Sequence, residues 1–185
     1  MSYQNQSDSN HLSKVIEKAE AGDKIFQSCL GTMYYKGEGV SIDYEKAFYW
    51  VKKSADQEHI NAMYNLGYMY MSGEGTLENY EKAFYWFSKA AEQRFVPAQN
   101  YLGMMYFDGR GVVEDFEEAF IWFSIAAEQG SSEAKCNLGL MYIEGNGVPE
   151  SLTLATKLIS EAYEKGCEFA EELWNEYELW DYIDD

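Results

Sequence analysis

The chain has 185 residues, 46% hydrophobic and 17% aromatic, and a formal net charge of −18. Its apolar content excludes a mainly disordered chain, its acidity excludes electrostatic binding to nucleic acid, and no apolar run approaches the roughly eighteen residues of a membrane span. The charge is lopsided: residues 1–94 hold 13 acidic and 10 basic side chains, whereas residues 95–185 hold 19 and 4. A field of that kind speeds encounter with basic partners. The opening segment, MSYQNQSDSNH, has neither a basic n-region nor an apolar h-region, so it reads as a disordered tail over 1–11 and not as a secretory signal. A cytoplasmic protein is expected.

From residue 30 a ten-residue phrase dominates the chain. LGTMYYKGEG from Leu30 recurs as LGYMYMSGEG from Leu66, LGMMYFDGRG from Leu102 and LGLMYIEGNG from Leu138, at a strict 36-residue interval. One supersecondary unit is therefore repeated four times. In the second copy, residues 59–72 form a first helix, helix A, with Ala62, Leu66, Met69 and Tyr70 on its buried face. The paired glycines (37/39, 73/75, 109/111 and 145/147) follow a helix and precede no strand, so they read as a left-handed turn and not as a phosphate loop.

Asp43, Asn79, Asp115 and Ser151 then stand at the N-cap of a second helix, helix B. Glu45, Glu81 and Glu117 favour its first turn through the helix dipole. Ala47, Trp50, Val51 and Ser54/Ala55 make its apolar stripe, which ends near Gln57, Gln93 and Gln129, with Gly130 and Gly166 as stops in the later copies. Gly31, Gly67, Gly103 and Gly139 lie inside helix A, where glycine costs about 1 kcal/mol against alanine. Close approach of helix B, with the Trp50-type side chain across the gap, explains that recurrent cost, and Gly103→Leu is expected to destabilise strongly.

The phase extends in both directions. Ala19 and Gly22 match Ala127 and Gly130, giving a lone helix B over 12–22. Ala170 matches Ala134, giving a terminal helix over 167–180, and 181–185 remains as an acidic tail. Four helix pairs fill about 23–166.

The motifs LGxxYxxGxGV and D-x-x-K-A-x-x-W at this interval resemble the Sel1-like repeat family, relatives of the tetratricopeptide repeat, over nearly the whole chain. The resemblance implies an all-α fold, a right-handed α/α superhelical solenoid of antiparallel helix pairs. It also implies a non-enzymatic function, binding of protein segments on the concave, A-helix face. Two departures stand out. The paired cysteines of secreted relatives are missing, and the fourth helix B carries Leu158 and Thr156 where earlier copies have Trp and Phe.

With Leu66 inward on the helical wheel, Asn61, Tyr64, Tyr68 and Met71 point outward. One outward phase reads Thr32, Tyr68, Met104, Leu140, and another reads Tyr35, Met71, Phe107, Ile143. Greasiness retained at outward positions indicates either an adaptable binding groove or packing of A helix on A helix. Asp108, Glu144, Glu172 and Glu176 set negative charge beside it, complementing a basic, apolar-anchored protein.

Cys29, Cys136 and Cys167 share no phase and form no CxxC, and with only His11 and His59 to help, no metal site is expected. Three reduced, mostly buried thiols are expected instead. Ser132-Glu-Ala-Lys135 fits S-x-x-K, but no S-D-N or K-T-G follows. A hydrolase of β-lactam type is thus the remote alternative. The principal readings are an adaptor or regulatory scaffold and, alternatively, an immunity protein neutralising a basic bacterial toxin. In either case the protein is expected to be a monomer or weak dimer without cofactor, nucleic acid or membrane.

Overall fold

The computed structural model describes residues 2–179, with side chains from residue 11 onward, and divides into two units, residues 1–93 and 94–185. The described residues are helical and contain no strand, and no helix among them is long and apolar enough to cross a membrane. Each unit is a stretch of α/α solenoid built from antiparallel helix pairs.

The first unit holds α1 (Ser2–Glu20), α2 (Lys24–Lys36), α3 (Tyr44–Ala55), α4 (Ile60–Ser72) and α5 (Tyr80–Glu92). The second holds α6 (Val96–Asp108), α7 (Phe116–Glu128), α8 (Ser132–Glu144), α9 (Leu152–Tyr163) and α10 (Glu168–Glu176). The A helices are α2, α4, α6 and α8, and α3, α5, α7 and α9 are their B partners. α1 begins at Ser2, not near residue 12, so residues 2–11 of the expected tail are helical. Residues 2–20 contain neither glycine nor proline, so nothing stops the helix from extending away from its packed end, where Val15 and Ala19 are buried beside Leu30. At the other end α10 stops at Glu176, short of the expected 180, and the acidic tail 181–185 lies outside the described residues.

The A-to-B turn repeats its bonding in all four copies. The caps Asp43, Asn79, Asp115 and Ser151 accept from the backbone N–H three residues on, at Lys46, Lys82, Glu118 and Leu154. Each cap's own N–H donates back to the carbonyl of helix A at Tyr34, Tyr70, Tyr106 or Tyr142, at 2.8–2.9 Å. One short polar residue thus starts helix B and ties it to helix A. Gly75 is required twice over: φ is +73°, and a Cβ there would stand 1.9 Å from the Tyr44 carbonyl oxygen.

The glycines inside helix A do mark close helix approach, but the residue across the gap is not tryptophan. A Cβ on Gly31, Gly67, Gly103 or Gly139 would meet Val51, Phe87, Phe123 or Ile159 at 2.6–2.9 Å. These residues sit four positions after the buried Ala47, Ala83, Ala119 and Ala155, whereas Trp50, Trp86 and Trp122, three after, are only half-buried. Both spacings fit a helical stripe, and the crossing of the two helices selects i+4. The stops after the B helices hold a further difference. Glu58 and Arg94 occupy the phase of Gly22, Gly130 and Gly166 and adopt the same left-handed backbone, with φ of 58° and 63°.

Candidate functional site

The outward A-helix residues do not form a flat surface. In the first unit they wall a cleft of about 350 Å³ between α2 and α4, lined by Thr32, Tyr35, Lys36, Tyr64, Asn65 and Tyr68 over Val51 and Met69. In the second unit a cleft of about 120 Å³ between α6 and α8 is lined by Met104, Phe107, Asp108, Asn137 and Leu140 over Phe123. Adding two 36-residue intervals to Thr32, Tyr35, Lys36, Val51, Asn65 and Tyr68 yields the second lining residue for residue. The floor in each case is the side chain that faces the helix A glycine.

The walls of the first cleft are rich in hydroxyls. Tyr35 Oη donates to Glu74 Oε2 at 2.7 Å, and Ser72 Oγ donates to the same oxygen at 3.0 Å. Burial, then the hydrogen bond to Glu74, push the Tyr35 hydroxyl above its ordinary range, so it remains a donor. Tyr35 also packs edge-on against Tyr44, with centroids 5.3 Å apart, and Tyr64 leans on Phe87. In the second cleft Phe107 packs edge-on against Phe116 at 5.2 Å, the image of the Tyr35–Tyr44 pair. Asn137 Nδ2 donates to Asn100 Oδ1 at 2.9 Å, which fixes the amide on the wall. Met104 remains 39% exposed. Tyr35 and Phe107 therefore pack on their own repeat and line a cleft at once.

The rims carry opposite charge order. Lys36 lies 3.8 Å from Glu38 in the first unit, and Asp108 lies 3.3 Å from Arg110 in the second. Lys36, Ser72, Asp108 and Glu144 are the last residues of the four A helices. The helix dipole favours Lys36 at that end and disfavours Asp108 and Glu144.

The clefts bring together Tyr35, Tyr64 and Tyr68 in one unit and Met104, Phe107, Asp108 and Leu140 in the other. Met71 is half-buried and lines neither. Ile143, beside Leu140, packs on the core shared by α8, α9 and α10. Glu144, Glu172 and Glu176 are exposed, and after burial the charges of Glu176 and Glu144 help hold the Tyr177 hydroxyl up. Lys36, Asn65 and Asn137 escaped a search for greasy outward positions, although reading the rim phase as a series of charges finds Lys36.

Two further expectations need correction or placement. Cys29 is exposed and Cys167 half-buried, so only Cys136 is a buried thiol. A cysteine at the outward phase of Asn65 and at an N-cap is not core by position. Ser132 opens α8, and the Lys135 ammonium is held by Glu161 Oε2.

Within each unit, short antiparallel helix pairs with a cleft between the two A helices define an α/α-repeat protein of the kind that binds other proteins. The chain belongs to the Sel1 repeat family, whose model matches residues 30–59, 60–95, 96–131 and 132–167. A protective antigen of uropathogenic Escherichia coli with the same fold is 38% identical at a TM-score of 0.80, over 84% of this chain and 33% of its own length. The chain thus spans about a third of that antigen. A Sel1 repeat protein of Oxalobacter formigenes is 31% identical at a TM-score of 0.79, over 89% of this chain and 69% of its own. An immunity protein of Pseudomonas aeruginosa shares the fold at 23% identity and a TM-score of 0.54, over 84% of this chain and 58% of its own. No functionally curated protein matches the chain.

Proposed function

We propose that this protein is a non-enzymatic adaptor or regulatory scaffold that seats segments of a partner protein in its A-helix clefts. The observation that carries this reading is the recurrence of one cleft, lining residue for lining residue, in both units. The scaffold positions, including the floor residues Val51 and Phe123, are fixed by packing, whereas the walls differ in chemistry between the two clefts. Met104, Phe107 and Leu140 offer apolar anchorage beside Asp108, and the exposed Glu144, Glu172 and Glu176 extend the acidic surface. A partner presenting apolar side chains among basic ones complements that arrangement.

The charge asymmetry favours a second reading, an immunity or inhibitor protein that occludes a basic toxin. The fold shared with the P. aeruginosa immunity protein supports the suitability of such a solenoid for that role. One set of variants separates the two readings. In affinity capture at about 0.15 M salt, Tyr68→Ala with Met104→Ala abolishes retention of the partner if the clefts carry recognition, and neutralising Glu172 and Glu176 leaves it. The reverse pattern selects the inhibitor reading. Recovery of acidic or neutral partners alone overturns the basic-partner assignment.

A further inference from the structure

Cys136 and Cys167 come from different phases of the repeat, 31 positions apart in sequence, yet their sulfurs meet at 3.6 Å. Cys136 is fully buried on α8, in a core cluster with Ala155, Ile159, Ala162, Ala170 and Leu173. Cys167 is half-buried at the N-cap of α10, and its side chain makes no cap bond there. Cysteine is a poor cap, so capping does not account for it at this place.

We propose that Cys136 and Cys167 form a reversible disulfide that fastens the start of α10 to α8. The sulfurs must close from 3.6 Å to the roughly 2.0 Å of a disulfide, a movement within reach of side-chain rotation at a half-exposed cap. Of the two, Cys167 is open to solvent and is the entry point for a peroxide. Its thiolate attacks one oxygen of hydrogen peroxide, the O–O bond breaks, and the departing hydroxide takes a proton to become water. The resulting sulfenic acid is attacked by the Cys136 sulfur. The S–O bond breaks, and hydroxide leaves as water with the Cys136 proton. Two thiols and one peroxide thus give one disulfide and two waters.

Burial, then the contact with Cys167, push the Cys136 thiol up; that burial shields it from bulk oxidant and leaves the adjacent Cys167 sulfur as the group within its reach. The consequence falls on α10, which carries Glu172 and Glu176. A covalent tie at its N-terminus removes the freedom of that helix to lift from α8 and α9.

The test uses the full chain with Cys29→Ser, which removes the exposed thiol and its intermolecular products. Treatment with hydrogen peroxide is expected to lower the intact mass by two hydrogens, and digestion is expected to show a cross-linked peptide pair containing Cys136 and Cys167. Amide exchange across α10 should slow at least tenfold, and dithiothreitol should reverse both changes. Cys167→Ser, which leaves the buried thiol in place, should abolish the mass loss and the protection. Sulfinic acid at Cys167 as the sole product, or a disulfide without slowed exchange in α10, overturns the proposal.

Discussion

The two clefts are one construction carrying two chemistries. In the first unit Thr32, Tyr35, Tyr64 and Tyr68 line a mostly apolar cleft of about 350 Å³, the Thr32 and Tyr35 hydroxyls donating to the Ser28 carbonyl and Glu74, and Lys36 stands at its rim. In the second unit Met104, Phe107 and Leu140 close the same space to about 120 Å³, and Asp108 replaces the lysine. Everything that holds the helices apart is shared: the cap bonds, the turn and the glycine facing a branched or aromatic side chain. The lesson is a division of labour within the repeat. Packing fixes the stack, and the walls change chemistry while keeping equivalent contacts, as Tyr35 on Tyr44 becomes Phe107 on Phe116. The acids at the ends of α6 and α8 oppose the helix dipole and are held locally instead, Asp108 by Arg110 and Glu144 by Asn146 Nδ2.

The sharpest way to break the comparison is to attack what the units share. Leucine at Gly67 or Gly103 would drive its side chain into Phe87 or Phe123, where even a Cβ would stand at 2.9 or 2.6 Å. Each change is expected to cost about 3 kcal/mol or more in urea denaturation. A midpoint equal to wild type at either position would show that the helices are not held at contact distance by glycine there.

The next change touches only what differs. Asp108→Lys should weaken binding of the captured basic partner about tenfold, or about 1.4 kcal/mol, in titration calorimetry, while thermal stability stays near wild type, since the cation favoured at the C-terminus of α6 replaces the pair with Arg110. Lys36→Asp in the first unit should leave affinity unchanged or raise it, and should lower stability slightly. Affinity and stability moving together in both variants would mean that the rim charges are structural.

How far the sequence already disclosed these features depends on how local their physics is. The N-caps were legible because capping needs one oxygen-bearing side chain and its own helix turn. The glycine phase was legible too, but its partner was not, since Trp50 at i+3 and Val51 at i+4 from Ala47 fit one stripe. Only the interhelical crossing separates them. The outward phases of Tyr68 and Met104 emerged from periodicity, whereas Lys36 did not, because apolarity was the criterion and its role lies in charge. The contact of Cys136 with Cys167 joins two unrelated phases, and no periodic argument brings them together. The left-handed backbone at Glu58 and Arg94 was equally hidden, as those side chains carry no trace of the glycine they replace.

The fourth pair offers a smaller test of what happens where the repeat loses its pattern. Thr156 occupies the phase of Phe48, Phe84 and Phe120, is only 4% exposed, and its hydroxyl has no hydrogen-bond partner. An unsatisfied buried hydroxyl is a cost that an isosteric methyl removes. Thr156→Val is expected to stabilise the chain by about 1 kcal/mol, read as a higher urea midpoint. A loss of stability would indicate that the hydroxyl is satisfied by water.

The smallest effect separates the same end by pH. Gln57 Nε2 donates to Gln27 Oε1 and Gln129 Nε2 to Gln99 Oε1, at 2.7 and 2.6 Å, in amide pairs that do not themselves titrate. Lys135 stands at the phase of Gln27 and Gln99 and is paired with Glu161 instead. The hydrogen bond from Lys135 holds the Glu161 carboxyl below its ordinary 4.5. A depressed acid stabilises the fold above its unfolded value and loses that contribution as pH falls through the folded one. The α8–α9 joint should therefore weaken as pH falls below about 4.5, by a few tenths of a kcal/mol, since Glu161 is 41% exposed and solvent screens the pair. Glu161→Gln should remove that part of the acid sensitivity and lower stability at neutral pH by a similar amount. Amide exchange in α9 at pH 6 and pH 4 measures both, with the α6–α7 joint, held by Gln99 and Gln129, as a control that should change less. Equal acid sensitivity in wild type and Glu161→Gln would mean that the pair contributes nothing to holding the joint.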